Sequence, residues 1–557
     1  MKIKKLLSII LALSMVMVTM TGCGNKDSNT DSGSIDESQY LNTYIMADPT
    51  TFDSVMATDT YAMNMLNNLM EPLLRLEEKE DGTIETVPAG AERYEVSDDQ
   101  TVWTFYLRDN TWSDGQPVTA HDYEYGIKRM LDPEVGAAYS YIMLPIKNAM
   151  SVNLGELPLE ELGVKALDDK TLEITLESPT SYFLGLVYHS AMLPQRQDIV
   201  EKYADQYGTE VDKIVYNGPF KCESWVHNSE VVLVKNENYW DKDSVKLEKI
   251  TYKIIQDENA IYNSLENKSI DMASTTTKEW TETFKKFDEL EFIETDNSDV
   301  YYQYYNQTDK LFSNANVRKA FTLAIDREKL NEAIYDGRNK PAYGVVPPVV
   351  SVNETEFRSV AADPIKKLQD ENPDPKALLV KGLEELGMDT DTSKLTVELQ
   401  LGGTDQWTKT LAEYMQQTYK ETLGVNLEIK MLDWGVFMTN YYNFDYQIAQ
   451  MRYGADFNDP LSMLSCLEST QDGFCIGYGN ERIDELIYEA TAETDTDKKI
   501  ALIEEIEDIF LYQDACIAPL VYTRSNTFAY KYLENLVFSN FATNGYKYVY
   551  TRGRSSR

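Results

Sequence analysis

Alternating polar and apolar residues predict β-strands at intervals along most of the chain. Thr171–Leu176 alternates with a period of two, which is typical of a strand with one buried face. Phe220–Trp225 and Val231–Lys235 flank the polar segment His227–Glu230, and this arrangement predicts a β-hairpin. Further strands are predicted at Tyr40–Met46, Thr101–Leu107, Leu247–Ile255 and Leu395–Leu401.

Helical periodicity and capping residues predict helices between these strands. Thr119 is followed three residues later by Asp122, as in a capping box at a helix N-terminus. Apolar residues recur every three or four positions in Asp497–Tyr512, which predicts an amphipathic helix. Other helices are predicted to begin at Ser313 or Asn314 and at Asp326, the latter ending at Gly337. The mixture indicates an α/β or α+β protein, and no repeat of 20–50 residues is evident.

Residues 1–22 have the pattern of a bacterial export signal. Three lysines lie within the first five residues, and the mostly apolar stretch Leu6–Met20 is short for a membrane-spanning helix. The stretch ends at Met20-Thr21-Gly22-Cys23, which resembles a lipobox, in which the cysteine is acylated and becomes the mature N-terminus. An ordinary signal peptide with an incidental cysteine is the alternative. Lipidation at Cys23 is the preferred interpretation.

Residues 23–39 are predicted to form a flexible tether, because they are polar and contain almost no core-forming side chain. A lipid on Cys23 followed by such a tether would hold a folded domain at the cell membrane without embedding it. No later apolar run is long enough to cross a bilayer. We therefore expect an extracytoplasmic protein anchored by its N-terminal lipid.

The composition narrows the choice of partners. The chain has 557 residues, with 52 Lys and Arg against 92 Asp and Glu, so its formal net charge is −40. Such a surface would repel nucleic acid. The 38 Tyr, 18 Phe and 7 Trp supply many flat amphipathic side chains for a binding site, whereas 3 His argue against a histidine-rich metal centre. We expect no metal and no cofactor.

Enzyme signatures are missing from the sequence. There is no G-x-S-x-G, H-E-x-x-H, P-loop or G-x-G-x-x-G motif, so we do not expect an enzyme. A carboxylate pair of the glycosidase type stays open as a weak alternative. The cysteine spacing fits no metal motif; Cys466 and Cys475 could form a disulfide, although isolated buried thiols are the preferred interpretation.

An ordered set of short segments carries a family resemblance. The most specific is Val102–Asp122, with a strand, a Trp-Ser-Asp-Gly turn and a Pro-Val-Thr-Ala-x-Asp helix start. Together the segments resemble the extracellular solute-binding proteins of family 5, and among them the oligopeptide-binding lipoproteins of bacterial ABC importers. The resemblance covers essentially all of Tyr40–Thr551. The other segments are Asp48–Asp53, Met70–Leu74, Pro88–Glu92, Asn217–Phe220, Asn238–Asp241, Val317–Ala320, Ala455–Pro460 and Ala518–Leu520.

The resemblance implies an α/β, two-lobed periplasmic-binding-protein-like fold of class II (cluster C), with a hinge and an inserted subdomain. Transferred to this sequence, lobe I comprises residues 40–71, 206–300 and 525–557. The inserted subdomain comprises residues 72–205, and lobe II comprises residues 301–524.

The resemblance also implies a binding site between the lobes. Asp456 matches the acid that meets the ligand's amino group, since an enclosed ammonium needs a carboxylate. Asn458 belongs to the same segment. The backbone of Arg452, Tyr453 and Gly454 could pair with an extended peptide as an added strand.

Three further expectations concern the walls of that site. Trp434 matches a tryptophan that lines the ligand cleft, although a buried core position is a close alternative. Thr50, Thr51 and Phe52 match a segment that contacts the ligand backbone in relatives. The stretch between Trp434 and Arg452 lacks the arginines that meet the ligand's carboxylate in family members. Candidate replacements are Arg452, Arg482 and Lys221.

The resulting expectation is a monomeric, lipid-anchored binding protein that captures oligopeptides and delivers them to the permease of an ABC importer. Alternatives are a binding protein for another solute, such as an oligosaccharide or a nickel chelate, or a receptor for peptide pheromones. A surface glycosidase is the weakest alternative.

Overall fold

The computed structural model describes residues 34–78, 84–470, 473–538, 541 and 545–554. The predicted signal peptide and Cys23 lie outside these residues, as does the tether up to residue 33. The last tether residues have partners, since Ile35 forms a β-bridge with Arg552 and Asp36 accepts hydrogen bonds from the amides of Gly553 and Arg554. Attachment to the C-terminal segment therefore begins before Tyr40, earlier than the tether prediction placed it. In the described residues, no helix is both long and apolar enough to cross a membrane.

A four-stranded sheet is built from two distant parts of the chain. The strand Tyr40–Ile45 pairs in parallel with Lys249–Ile254, which pairs with Glu230–Lys235 and through it with Phe220–Val226. The last two strands form the predicted hairpin, with Val226 opposite Glu230. Apolar side chains such as Leu41 and Ile250 are fully buried under this sheet.

A second four-stranded sheet lies within residues 72–205. Its order is Ala91–Val96, Val102–Leu107, Thr171–Thr175 and Val164–Asp168. The helix Ala120–Leu131 begins at the predicted capping box of Thr119 and Asp122. Trp112 is fully buried and its indole N–H donates to Asp122 at 3.2 Å, so this conspicuous segment is scaffold.

The largest sheet has seven strands. Along the sheet the order is Met272–Thr275, Ile517–Tyr530, Leu290–Tyr305, Ile448–Gly454, Thr396–Gly402 and Asn426–Leu432, with Lys340–Pro341 pairing beside Ile517–Tyr530.

Two unusually long strands connect this sheet to the first half of the fold. Leu290–Tyr305 has 16 residues and Ile517–Tyr530 has 14, and the two are antiparallel neighbours. Their register breaks between Asp296 and Val300. Near this break a side-chain hydrogen bond links the two strands: the Asn297 side-chain amide donates to the Thr523 hydroxyl at 2.9 Å.

Helices cover the sheets, and two of the predicted starts are confirmed at Asn314 and Asp326, whose side chains accept from backbone amides of the first turn. The predicted helix Asp497–Tyr512 is instead an α-helix, Thr496–Glu507, followed by the π-helical segment Asp508–Gln513. The α-helices are Thr60–Leu69, Ala120–Leu131, Ala149–Asn153, Phe183–Leu186, Gln197–Tyr203, Glu258–Glu266, Lys278–Phe284, Ala315–Ala324, Arg327–Tyr335, Phe357–Val360, Pro364–Glu371, Pro375–Glu385, Gln406–Thr422, Trp434–Tyr442, Leu461–Leu464, Glu481–Ala492 and Thr496–Glu507.

The hydrophobic cores follow the sheets. One continuous core joins the first sheet to the second, with Leu41 and Phe105 among its fully buried members. Two others contain residues of the seven-stranded sheet, one around Tyr302 and Phe474 and the other around Leu399 and Met415. Phe457, from the segment after Ile448–Gly454, packs into the first of these cores. The segment that carries Asp456 therefore contacts the other half of the molecule.

Candidate functional site

Three parallel strands bring two of the predicted site residues, Trp434 and Asp456, to one edge of the seven-stranded sheet. Thr396–Gly402 pairs in parallel with both Asn426–Leu432 and Ile448–Gly454. The carboxyl ends of parallel strands meet at the same edge, where ligands bind in many α/β proteins. Trp434 follows the second strand by two residues and Asp456 follows the third by two residues. Topology therefore places both at this edge.

Asp456 is half-buried and contacts Tyr141, an aromatic residue of segment 72–205, which also contains the second sheet. The Tyr141 hydroxyl donates to its carboxylate at 2.8 Å. Within the described residues, no lysine, arginine or histidine forms an ion pair with Asp456. Burial raises the pKa of Asp456 above its ordinary value, and the hydrogen bond from Tyr141 opposes that rise. The carboxylate is thus poised to accept a cation.

The strand that leads to Asp456 is only partly paired along one of its edges in the described residues. Ile448–Gly454 pairs along its length with Leu290–Tyr305, from Ile448 opposite Tyr305 to Gly454 opposite Asp299. On its other edge the ladder covers Ile448 to Gln450 alone. In the described part of the chain, no strand pairs with that edge beyond Gln450. An extended chain could add there by main-chain hydrogen bonds.

Side chains of the three predicted strand residues take different roles. Arg452 is exposed, and its guanidinium is 3.6 Å from the Asp299 carboxylate. The Tyr453 hydroxyl lies 2.9 Å from the Cys466 sulfur, which directs this side chain inward. A Cβ added at Gly454 would lie 2.8 Å from the Cβ of Asp299, so the two strands approach too closely there for a side chain.

Trp434 is the first residue of its helix and is 57% exposed, so it is not a core residue. Its ring stacks on Phe437 at 5.5 Å and closes over Gly402 at the end of the neighbouring strand. Trp407, which the sequence analysis did not select, is 42% exposed and lies beside Tyr301, with ring centroids 6.4 Å apart. Trp407 also follows a parallel strand, Thr396–Gly402. Because residues that follow parallel strands meet at the same edge of a sheet, this position is a signal that could have identified it.

Other predicted residues are held by their own neighbours. The Asn458 side chain accepts from the Ser351 amide at 2.8 Å. The Thr50 amide and hydroxyl donate to Asp59, which caps the helix Thr60–Leu69.

The side chains of the next two residues, Thr51 and Phe52, pack inward. The Thr51 hydroxyl accepts from the Asp53 amide, and Thr51 is buried. The Phe52 side chain is fully buried, with its ring 4.5 Å from that of Trp225. The side chain of Phe52 therefore offers a ligand no surface, because packing in the core occupies it.

A cavity of about 310 Å³ adjoins this region. Its lining combines tyrosines and small polar side chains, chiefly from the first sheet and the two long strands, with others from the helix Thr60–Leu69, the strand Met272–Thr275 and the C-terminal segment. Ser298 follows the lining residue Asn297, and its carbonyl accepts from the Ala455 amide at 2.9 Å. The cavity and the Asp456 segment are therefore joined through one short stretch of backbone. The lining includes Tyr44, Tyr61, Tyr252, Ser274, Thr295, Asn297, Ser525, Thr527 and Tyr546.

The three cationic side chains proposed as partners for a ligand carboxylate differ in their surroundings. Arg482 lies among Glu485, Glu489 and Glu505, which neutralise it. Lys221 lies on the outer strand of the first sheet. Arg452 is the one of the three beside the Asp456 segment, which makes it the strongest candidate.

Two other features bear on chemistry. No cluster of metal-ligating side chains occurs among the described residues. The structure has no disulfide between Cys466 and Cys475, whereas Cys222 and Cys516 are buried thiols as expected.

Tyr141 was not selected from the sequence, since it lies in an irregular stretch with no motif. An anionic group, an open strand edge and exposed tryptophans together suit an extended chain with a charged amine.

Comparison with known proteins identifies the family. Residues 85–474 match the family model described as bacterial extracellular solute-binding proteins, family 5 middle. The dipeptide-binding protein DppE of Bacillus subtilis is 32% identical over 528 residues, covering 94% of each chain. The oligopeptide-binding protein OppA of the same organism is 30% identical, covering 93% of this chain and 94% of its own. The structure of Listeria monocytogenes OppA bound to peptide superposes with a TM-score of 0.76 at 30% identity, covering 93% of this chain and 99% of the other.

Proposed function

Because the chain belongs to the bacterial extracellular solute-binding proteins of family 5, we propose that it captures peptides outside the cytoplasm and delivers them to an ABC importer. One observation supports this most directly: the Asp456 carboxylate, half-buried and without a cationic partner in the described residues, lies beside an open strand edge. A family of binding proteins also agrees with the expectation that the chain is not an enzyme.

Each part of a peptide has a partner in the proposed mode of binding. Its ammonium pairs with Asp456, and its backbone adds as a strand beside Arg452–Gly454. Main-chain hydrogen bonds do not depend on sequence, so varied side chains are tolerated. Trp434 supplies an apolar wall. Arg452 is the proposed partner for the ligand carboxylate.

The two-lobed division stays a proposal, with lobe I at 40–71, 206–300 and 525–557, the insert at 72–205 and lobe II at 301–524. The pairing of the long strands, with its register break at Asp296, supports a hinge there. Ligand binding would favour closure through its higher affinity for the closed state.

The location is extracytoplasmic, as the family description states. We further propose that Cys23 carries a lipid and that the following residues tether a monomer to the membrane. The order of basic residues, apolar stretch and cysteine supports this.

The test begins with native purification and mass spectrometry of the bound ligand. We expect a mixture of peptides with free amino groups. An oligosaccharide, a nickel chelate or a single pheromone-like peptide would select the corresponding alternative, and turnover of fluorogenic glycosides would favour the glycosidase.

Calorimetry then supplies the quantitative arm. After removal of bound ligand, di- to octapeptide pools should bind, and their N-acetylated counterparts should bind poorly. Failure of every pool to bind would refute the peptide-binding proposal. Equal binding of acetylated peptides would refute the role of Asp456 alone.

A further inference from the structure

Two consecutive residues, Asp456 and Phe457, contact side chains of the inserted segment 72–205. Asp456 accepts from Tyr141 at 2.8 Å. Phe457 stacks on Tyr182, with ring centroids 4.9 Å apart and an interplanar angle of 19°. Gly185 lies close to the same ring, since a Cβ added there would be 4.0 Å from a ring carbon of Phe457. Asp459, two residues further on, reaches the inserted segment indirectly, through Lys499.

Asp459 ends the segment Asp456–Asp459 in a buried ion pair. The Lys499 ammonium donates to the Asp459 carboxylate at 2.5 Å and to the Ser181 hydroxyl at 2.7 Å. The side chains of Lys499 and Asp459 are 2% and 5% exposed. The Ser181 amide also donates to the Thr491 carbonyl at 3.0 Å. We refer to Ser181, Tyr182, Phe457, Asp459 and Lys499 as the clasp.

We propose that the clasp positions Asp456 for the ligand's amino group, and that Tyr182 and Lys499 are its positioning residues. The inference rests on the proposed function, since it concerns the same amine site. Neither residue needs to touch the ligand. They act through the backbone of Asp456–Asp459, which they hold against the inserted segment.

The physical reason lies in the surroundings of a charge. An ion pair between exposed groups contributes little, whereas a desolvated charge pair at an interface contributes much more. Packing of Tyr182 on Phe457 removes water from one side of the segment, and the Lys499 pair keeps Asp459 from competing as a second free acid. Asp456 is thereby left as the accessible carboxylate with reduced hydration.

The groups around Asp456 do not supply an alternative charge. Four titratable side chains lie near Asp456, and burial raises the pKa of each, so all four are neutral near pH 7: Tyr139, Tyr141, Tyr453 and Cys466. The clasp's cation is taken by Asp459. We call the loss of free-amine peptide binding at low pH the acid limb. A shift of the acid limb that the acetylated peptide does not show can therefore be assigned to Asp456.

The test uses the full chain with two mild variants, Ser181→Ala and Tyr182→Leu. Calorimetry compares one peptide with its N-acetylated form across pH 4–8. In the wild type the free amine should bind much more tightly. In each variant that preference should fall by about tenfold, because the amine pair becomes solvated. The acid limb should move to lower pH as the pKa of Asp456 returns toward its ordinary value.

A matched control and a second variant exclude a folding effect. Tyr343→Leu changes a half-buried tyrosine whose hydroxyl donates to Glu328, and it should leave preference and pH profile unchanged. The double variant Asp459→Asn with Lys499→Met replaces the buried pair by neutral groups, a change that native folds tolerate. Melting temperatures identify any variant that has lost its fold.

The outcomes distinguish this inference from the proposed function. If the wild type binds no peptide, the proposed function fails. If the wild type shows a strong amine preference that Ser181→Ala, Tyr182→Leu and the folded double variant all retain with the same acid limb, the clasp does not position Asp456. A smaller preference with a shifted acid limb in any folded variant supports the clasp.

Discussion

Replacement of Asp456 by Asn tests the central interaction without changing side-chain shape. A close, partly desolvated charge pair contributes about 2–5 kcal/mol to binding. Asp456 is half-buried rather than enclosed in the structure, so we expect the lower part of this range, about 2–3 kcal/mol. At about 1.4 kcal/mol per factor of ten, affinity for free-amine peptides should fall by about 30- to 140-fold.

The same substitution should leave stability nearly unchanged. A folded-state pKa above the ordinary 3.8 means that the carboxylic acid form is favoured by folding. The stability contributed by this group is present below the unfolded pKa and is lost as pH rises through the folded pKa. At pH 7 the Asn variant avoids that cost and loses at most part of the Tyr141 hydrogen bond, about 1 kcal/mol.

The pH dependence of peptide affinity follows from the raised pKa of Asp456. Wild-type affinity for free-amine peptides should fall as pH drops through the raised pKa of Asp456, and again as pH rises past about 8, where the peptide amine deprotonates. Calorimetry across pH 4–9 and urea denaturation provide the measurements. An Asn variant that binds acetylated and free peptides with the same affinities as the wild type would refute the assignment of Asp456.

Three further predictions address the wall, the scaffold and the anchor. Trp434→Ala should weaken binding of peptides with apolar side chains by about 1 kcal/mol while leaving the urea midpoint unchanged, since the ring is 57% exposed; equal calorimetric affinities would exclude it as a wall. Glu71→Gln should lower the free energy of unfolding by about 3–5 kcal/mol, because it breaks the buried pair with Arg75, and an unchanged urea denaturation curve would contradict this. Radiolabelled palmitate should enter the wild type in its native host and not Cys23→Ala; equal labelling of both would remove the lipid anchor.

Some elements were predictable because their causes are local. Thr119 and Asp122 are three residues apart, and the bonds that make their capping box join neighbours in sequence. The helix after Asp326 and the hairpin at His227–Glu230 have equally local causes. The ordered family segments also determined the class of fold and of function, since the comparisons with known proteins agree with that resemblance.

The long strand Leu290–Tyr305 could not be found this way. Its middle, Glu294–Asp299, is rich in Asp, Asn and Ser, which are depleted in strands. The segment is extended because it pairs with Ile517–Tyr530, more than two hundred residues away. Long-range pairing overrides local preference, and the sequence of either strand alone does not contain it.

The candidate site likewise has some features that the sequence predicted and others that depend on tertiary structure. The sequence by itself placed Asp456 and Trp434 among the binding candidates, because both stand in segments that resemble the family. Only the tertiary structure decided that Trp434 is exposed, that Phe52 is buried, and that Tyr141 meets Asp456 across 315 positions of sequence. Exposure and contact depend on how distant elements pack, and spacing along the chain does not record that packing.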